Sequence, residues 1–358
     1  MKKVYINGLG CISCQKTFDT DFLEEAILLE NQNKNVVSAI EPVYKDYISP
    51  SAIRRMAKGV KNGIVASAMA LKDASISEVD AIITGTGMGC IEDSEKFLKA
   101  IIDNNEEFLT PTSFIQSTHN TVGGQIALGM QCKGYNFTYV NGANSFESAL
   151  LDAKMQLEND ENASVLVGGI DEHAHYTMEF YKVAGLIKND DEINFSVLNS
   201  TSEGYVSGEG AAFFVLENEK KANSYAEILD VSIFNSLEIN QVEKEILDFL
   251  QQNLVSLEEI DAVVLGYNGD GKQDDYYKNL SETIFKNLPQ VYYKHLSGEF
   301  FTASSFGLWM ASKILKTQVI PVIASVNSME KESYKTILLY NQYRGKDHSF
   351  TLIKHADA

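Results

Sequence analysis

The alternation of hydrophobic and polar positions follows one plan that occurs twice along the chain. Residues 75–85 read SISEVDAIITG, and residues 256–266, about half a chain length further on, read SLEEIDAVVLG. In each copy an aspartate precedes a short β-branched run that ends in glycine, which is typical of a buried parallel strand. Apolar residues with helical spacing precede the copies at 64–71 and 246–254. The order helix, aspartate, strand and glycine turn therefore predicts an internal duplication.

Further strands and helices are predicted on both sides of the midpoint. The predicted strands cover residues 4–10, 137–140, 164–168, 212–216 and 226–232, and the predicted helices cover residues 146–158 and 303–315. Strands that alternate with helices of ten or more residues favour parallel sheets covered by helices. No linker rich in Pro, Gly or Ser divides the chain. We therefore predict one compact α/β body of two pseudo-repeated halves, residues 1–220 and 221–358, in an α/β/α/β/α layered arrangement.

Composition and charge exclude several classes of function. Hydrophobic residues make up 44% of the chain and charged residues 22%, which is typical of a soluble globular protein. The formal net charge of −19 argues against binding to nucleic acid, which requires clustered Lys and Arg, and against docking on an anionic membrane. Neither a signal peptide nor an apolar stretch long enough to insert into a bilayer is visible in the sequence. We predict a cytoplasmic protein.

The cysteines and histidines predict no disulfide scaffold, metal site or cofactor. Cys11 and Cys14 form a C-x-x-C pair, but no second pair completes a zinc site, so we interpret them as small buried side chains. His173 and His175 follow Glu172 with a spacing that fits one face of a metal site, but no clear third ligand is visible. A solvated loop is the favoured interpretation for this segment.

Several glycine-rich segments resemble motifs of the β-ketoacyl synthase family. Residues 203–212 read EGYVSGEGAA, where the family has D-G-F-V-x-G-E-G-A-G, and Glu209 matches the acidic residue of that motif. Residues 167–172, VGGIDE, resemble the family's A-G-G-x-[DE], and residues 85–89, GTGMG, fit its G-[ST]-G-x-G. The family's C-terminal G-F-G-G-x-N loop is replaced by YRGKDH at 343–348. The matches cover nearly the whole chain, and the resemblance implies a thiolase-like fold.

The catalytic residues of that family are missing from the matching positions. An active member carries a Cys nucleophile at a helix N-terminus and two His that assist decarboxylation and stabilise the oxyanion. In the segment NGANSFESA, Ala143 takes the place of the Cys, and further on Asn268 and Glu299 take the places of the two His. Lys294 matches the lysine of the family motif, and we interpret it and Glu209 as structural residues near the site. No independent activity is therefore expected.

Other interpretations of these positions are weaker. An engineered Cys→Ala change would explain Ala143 but neither Asn268 nor Glu299. Ser145 requires a base beside it to attack a thioester, so a hydrogen-bonding or helix-capping role is favoured. Glu299 as a general base would repel a malonyl carboxylate, so an ion pair with Lys294 is favoured for it.

The family includes inactive members that suggest a role for this chain. In type II polyketide and aryl-polyene systems, a chain-length-factor-like subunit pairs with an active ketosynthase and bounds the acyl tunnel across the dimer interface. The resemblance thus implies a heterodimer that works with an acyl carrier protein in polyketide, polyene or fatty-acid-like chain elongation. It also implies which residues line the tunnel and the interface. These are Phe114, Thr118, Asn120, Phe137 and Phe146.

Two other functions are compatible with the sequence. The first is a divergent decarboxylating or condensing enzyme of the same family that uses Glu299, Asn268 or Ser145. The second is a stand-alone protein that binds an acyl carrier protein. Release of carbon dioxide from a malonyl-loaded carrier protein by the chain alone would identify the first. The size of the chain with and without a ketosynthase would identify the second.

Overall fold

Strands and helices alternate along most of the chain in the computed structural model, which describes residues 2–18, 26–29, 34–189, 192 and 196–358. The strands are β1 (Val4–Ile12), β2 (Ala81–Gly85), β3 (Tyr135–Tyr139), β4 (Ser164–Asp171), β5 (Gly210–Glu217), β6 (Ala226–Asn235), β7 (Ala262–Leu265), β8 (Gln290–Tyr292), β9 (Thr336–Tyr343) and β10 (Asp347–His355). The helices are α1 (Pro50–Ile53), α2 (Lys58–Ala74), α3 (Ile91–Asp103), α4 (Pro111–Gln116), α5 (Thr121–Met130), α6 (Ser145–Glu158), α7 (His175–Val183), α8 (Ile239–Gln252), α9 (Asp275–Glu282), α10 (Lys294–Ser297) and α11 (Ser304–Thr317). Within the described ranges, no helix is long and apolar enough to cross a membrane. The cytoplasmic location stays a prediction.

The order of strands in the sheet repeats the internal duplication. The strands form one sheet in the order β3-β2-β4-β5-β1-β6-β10-β9-β7-β8. From its outer edge inwards, the second half has β8, β7, β9, β10 and β6, which are the counterparts of β3, β2, β4, β5 and β1. β1 and β6 join the halves by antiparallel pairing of residues 4–6 with residues 226–228. The predicted boundary at residue 220 falls in the connection between β5 and β6.

The sheet is mixed, and the prediction of parallel sheets was wrong in this respect. β2 pairs in parallel with β3 and β4. β5 pairs antiparallel with β1 and β4, and β10 pairs antiparallel with β6 and β9. Because residues 344–346 alone connect β9 to β10, these two strands have no room for the helical crossover that parallel pairing requires. Neither β9 nor β10 was among the predicted strands, so the prediction did not include this antiparallel pair.

Two helices between the halves carry the central hydrophobic core. α6 and α11 contact strands of both halves, and buried residues from both halves form one cluster around them, including Phe146, Phe214, Phe306 and Trp309. Separate clusters include buried residues of α2 in the first half and of α8 in the second half. The layers are therefore helix, strands, helices, strands and helix, as the sequence predicted.

The repeated aspartate has the same structural role in both halves. Asp80 precedes β2, and its Oδ2 accepts hydrogen bonds from the backbone N–H groups of Ala163 and Ser164, at 3.0 and 2.9 Å. Asp261 precedes β7, and its Oδ2 accepts hydrogen bonds from Lys335 and Thr336, at 2.7 and 3.0 Å. Each carboxylate thus fixes the start of the neighbouring parallel strand, β4 or β9. The repeat seen in the sequence is a repeat of this contact.

The two outer edges of the sheet differ in exposure. Tyr135 and Phe137 of β3 are 40% and 46% exposed, whereas all three residues of β8 are buried. The segment that follows α11 covers β8, since the N–H of Val326 donates to the carbonyl of Gln290 at 2.8 Å. In the part of the chain that the structure describes, no strand pairs with the outer side of β3. The first half therefore ends in an open strand edge and the second half in a covered one.

Candidate functional site

Ala143 lies in a tight turn that leads from β3 into α6. The residues Gly142–Asn144 form a single 3-10 turn, and Ala143 is buried. Its position at the start of a 14-residue helix places it near backbone N–H groups that carry partial positive charge. This environment would suit a reactive thiolate, but the methyl group of Ala143 supplies no nucleophile.

The next hydroxyl along the chain, that of Ser145, is already used by the turn. Its Oγ accepts the N–H of Asn141 at 2.8 Å and donates to the carbonyl of Gly142 at 2.7 Å. Ser145 is fully buried. Both hydrogen bonds hold the turn in shape, so the favoured hydrogen-bonding role is present, whereas the residue at the N-cap of α6 is Asn144 and not Ser145.

A carboxylate that the sequence reasoning missed binds the amide of Ala143. The backbone N–H of Ala143 donates to Asp347 Oδ2 at 3.1 Å. Asp347 is the first residue of β10 and lies in the segment that replaces the glycine-rich loop of the family. An acidic residue in that segment was the only sequence signal for this contact. The amide therefore already has an anionic acceptor, whereas an oxyanion hole requires such donors to be free for the reacting oxygen.

The structure brings Asn268, Glu299 and Lys294 together in one buried network. Glu299 Oε2 accepts a hydrogen bond from Asn268 Nδ2 at 2.7 Å. The same oxygen forms an ion pair with Lys294 Nζ, also at 2.7 Å. All three residues are buried. Burial raises the pKa of Glu299, while Lys294 and Asn268 oppose that rise. The favoured pairing of Glu299 with Lys294 is present, and two donors hold Oε2 of this carboxylate in place.

Asp274 is a second carboxylate that the sequence reasoning missed. Its two oxygens accept the backbone N–H groups of Asn268 and Gly269, at 3.0 and 2.8 Å, and so fix the turn after β7. Gly269 has φ of +87°, a conformation that favours glycine. Burial raises the pKa of Asp274 to about 7. No motif residue pointed to Asp274, because it acts on the backbone of the turn and not on a reacting group.

Aromatic side chains fill the space beside Glu299. Tyr205 and Tyr343 meet through their hydroxyl groups at 3.2 Å, and the ring of Phe301 lies 5.3 Å from that of Tyr343. The cavity that remains between these residues and Glu299 has room for about one water molecule. Pockets for small molecules usually measure about 300 Å³ or more, so this space does not accommodate an acyl chain.

Glu209 occupies a separate buried position. Its Oε1 accepts the N–H of Ala39 at 2.9 Å, and its Oε2 binds Lys58 Nζ at 2.7 Å and the N–H of His173 at 3.1 Å. It thereby ties α2 to the segments around residues 39 and 173. The His173 ring lies 3.6 Å from Glu209 and is mostly buried, so the interpretation of a solvated loop was wrong for His173. His175 is exposed, but it begins the helix α7 and does not lie in a loop.

The remaining candidates separate into an exposed group and a buried one. Among the described residues, no group of three His, Cys, Asp or Glu side chains is arranged to hold a metal ion. Cys11 and Cys14 are buried, and burial raises the pKa of Cys14 to about 12.

Phe146 lies in the central core against Phe214, with ring centroids 5.6 Å apart. The structure therefore separates Phe146 from the four other tunnel and interface candidates. The exposed four are Phe114, Thr118, Asn120 and Phe137.

The chain is similar to curated 3-oxoacyl-[acyl-carrier-protein] synthases. The 3-oxoacyl-[acyl-carrier-protein] synthase 2 of Staphylococcus aureus (strain N315) is 23% identical over 238 residues, which are 63% of this chain and 55% of that protein. The same enzyme from S. aureus strain COL is 24% identical over the same length. The chain thus matches about half the length of these relatives.

Solved structures of ketosynthases share the fold. The ishigamide ketosynthase/chain length factor has a TM-score of 0.77 at 16% identity and is covered over 99% of both chains. A β-ketoacyl synthase from Burkholderia phymatum STM815 also has a TM-score of 0.77 at 16% identity, with 99% of this chain and 100% of that chain covered. The complex of the ketosynthase ApeO with its chain length factor ApeC from Xenorhabdus doucetiae has a TM-score of 0.74 at 11% identity, over 99% and 98% of the two chains. These matches confirm the thiolase-like fold.

The family itself follows from a direct match. The model of the family "Beta-ketoacyl synthase, N-terminal domain" matches residues 29–222, which is more than half of the chain. That range contains the 3-10 turn at Ala143 and the glycine-rich segment that ends β4. The fold, the motifs and this match agree, and the chain belongs to the β-ketoacyl synthase family.

Proposed function

We propose that the chain is a non-catalytic, chain-length-factor-like subunit that pairs with an active β-ketoacyl-carrier-protein synthase. One observation carries this proposal: the three positions that match Cys-His-His are occupied by residues that bond within the chain. The amide of Ala143 binds Asp347, and Asn268 and Glu299 bind each other. A site in this state lacks both the sulfur for an acyl intermediate and the imidazoles for decarboxylation.

The electrostatics of the site support the same proposal. Decarboxylation of a malonyl group requires a site that accepts a carboxylate and stabilises the enolate that forms. Here Glu299 and Asp274 lie around the same turn, and Lys294 is already paired with Glu299. A malonyl carboxylate would meet two carboxyl groups at this turn, while Lys294 is already paired, and carboxylates that share a buried site are unfavourable.

The open edge of β3 supports pairing with a second subunit. An unpaired strand edge with exposed aromatic side chains tends to be covered by another chain. Tyr135 and Phe137 stack on this strand with ring centroids 6.0 Å apart, and Leu128 of the neighbouring α5 is 71% exposed. We propose that β3 pairs antiparallel with its counterpart in an active ketosynthase, about a pseudo-twofold axis.

The residues proposed for chain-length control lie on the surface of the same half. Phe114 belongs to α4, Thr118 and Asn120 lie between α4 and α5, and all three are exposed in the isolated chain. The small space beside Glu299 leaves no tunnel at that point within this chain. We propose that the tunnel belongs to the partner and that these exposed side chains close its far end.

The charge of the chain bears on the acyl carrier protein. Carrier proteins are acidic, and the net charge of −19 opposes docking of an acidic protein on most of this surface. We therefore propose that the partner carries the main basic docking surface. Exposed Lys45, Arg54 and Arg55 form a short basic segment beside α1, and we propose a secondary contribution from them.

Co-expression with a ketosynthase of the same biosynthetic system tests the proposal. We expect native mass spectrometry to show a one-to-one heterodimer, and malonyl-dependent extension only when the partner is present. The matched control is a partner whose nucleophilic Cys is replaced by Ala, which should pair equally well but abolish extension. Release of carbon dioxide by the chain alone would favour a divergent enzyme. A stable monomer that ignores the ketosynthase but retains the carrier protein would favour a binding protein.

A further inference from the structure

A carboxylate of the chain itself is packed against two successive residues of the turn before α6. Asp347 Oδ2 accepts the N–H of Ala143 at 3.1 Å. The same oxygen lies 2.7 Å from the position that a Cβ atom on residue 142 would occupy. Gly142 has φ of +55°, so the backbone of the turn and the nearby oxygen both favour glycine there. The approach of the carboxylate is therefore built into the shape of the turn.

The carboxylate is delivered by a rigid part of the sheet. Asp347 begins β10 and pairs with Tyr343 of β9 on one side and with Asn235 of β6 on the other. Because strands on both sides fix its backbone, the side chain projects from a defined position and not from a free loop. A contact between residues 204 positions apart in the sequence is thus set by sheet register.

The turn also retains hydrogen-bonding capacity that the described residues do not use. Asn144 is 1% exposed, and neither atom of its side-chain amide has a hydrogen-bond partner among the described residues. A buried, unpaired amide beside an anion-binding backbone N–H is expected to seek a polar group. The turn therefore has two hydrogen-bond donors: the N–H of Ala143, which is occupied, and the side-chain amide of Asn144, which has no partner among the described residues.

We propose that Asp347 is an internal plug, whose carboxylate occupies the anion-binding amide of the Gly142–Asn144 turn and keeps anionic groups of a ligand out of it. The proposal goes beyond the role of the subunit in a heterodimer, because the contact lies within one chain. It also gives a second reason for the loss of catalysis: besides the missing catalytic side chains, the amide of the turn is occupied by the carboxylate of Asp347. Removal of the carboxylate alone should open the amide to a small carboxylate from solution.

An acetate titration of the full chain tests the plug. The chain is labelled with ¹⁵N-alanine, and the Ala143→Gly variant identifies the Ala143 amide signal by its disappearance. In Asp347→Ala, we expect that signal to shift and saturate as sodium acetate is added. Sodium chloride at matched ionic strength should leave it in place. In the unaltered chain, acetate should not move it.

Two controls separate the plug from general effects of salt. Asp80→Ala removes a carboxylate that accepts backbone N–H groups, at 3.0 and 2.9 Å, so it matches the chemistry at another place. Acetate should raise the melting temperature of Asp347→Ala and not that of Asp80→Ala. An equal rise in the melting temperatures of both variants would overturn the proposal. An Ala143 signal that does not shift with acetate in Asp347→Ala would also overturn it. If Asp347→Ala does not fold, Asp347→Ser is tested with the same titration and the same criteria.

Discussion

The two halves of the molecule follow one plan but differ at their outer edges. Both have a helix, an aspartate and a parallel strand in the same order along the chain. Both also arrange five corresponding strands in the same order from the outer edge of the sheet inwards. In the second half, the segment after α11 covers β8, whereas β3 of the first half is exposed. The duplication therefore specifies the core of each half, and a single covering segment makes the difference between the two outer strands among the described residues.

A buried carboxylate of the first half also contacts the second half at the candidate site. Asp171 ends β4 of the first half and accepts hydrogen bonds from Gly87 and Met88 of that half. Its other oxygen accepts the N–H and the hydroxyl of Thr302, both at 2.9 Å, in the second half. A site built on both halves thus depends on a contact that neither half contains alone.

The largest effect is expected where the halves are joined. Asp171→Ala leaves several buried donors without an acceptor, so the free energy of unfolding should fall by about 3 to 5 kcal/mol. Asp171→Asn keeps one acceptor oxygen and should lose clearly less. Urea unfolding at fixed protein concentration measures both values. A loss below about 1 kcal/mol in the alanine variant would mean that the Asp171 carboxylate contributes little to the contact between the halves.

The next test addresses the difference between the edges. Phe137→Glu places a charge on the exposed β3 and should weaken pairing with the ketosynthase by at least ~2 kcal/mol, or roughly thirty-fold in Kd. Val322→Glu, at a site that is 90% exposed in the second half, is the matched control and should pair normally. Native mass spectrometry over a concentration series gives both affinities. The heterodimer should bury more than ~2,000 Å². Normal pairing of Phe137→Glu would remove β3 from the interface.

A third test concerns chain length. If Thr118 faces the partner's tunnel, Thr118→Trp adds bulk that costs about 1–3 kcal/mol, or ten- to hundred-fold in the rate of the blocked step. The product should become shorter while the first condensation stays nearly unchanged, and Phe114→Ala should lengthen the product or broaden its distribution. The assay is the distribution of product lengths from the reconstituted heterodimer. Equal slowing of every condensation, with no change in distribution, would indicate an effect on stability or docking.

The smallest effect is expected at the lost nucleophile. Ala143→Cys should give no condensing activity, because Asn268 and Glu299 do not replace the two His and Asp347 keeps the amide occupied. The double variant Ala143→Cys with Asp347→Ala is the control. It removes the carboxylate that occupies the amide of residue 143, and it should also be inactive. Malonyl-dependent extension by the single variant, measured without any ketosynthase, would contradict the proposed loss of catalysis.

Much of the fold could be predicted because it depends on local patterns. The duplicated strands β2 and β7 each have a short β-branched run that ends in glycine, and this pattern identifies a buried parallel strand. The site positions Ala143 and Glu299 lie in recognisable motifs. β9 and β10 were missed, and with them the mixed character of the sheet. In the sequence, residues 343–348 align with a glycine-rich loop of the family, whereas in the structure they contain the turn Arg344-Gly345-Lys346 that joins the two antiparallel strands.

The sequence by itself determined which side chains are present at the site: no cysteine at 143, no histidine at 268 or 299, and a lysine available to pair with Glu299. It also determined the repeat from which the two halves are built. Only the tertiary structure decided that Asp347 binds the amide of Ala143 and that β3 stays uncovered while β8 does not. The physical reason is that these contacts join segments far apart in the chain, so they depend on strand register and helix packing and not on neighbouring residues.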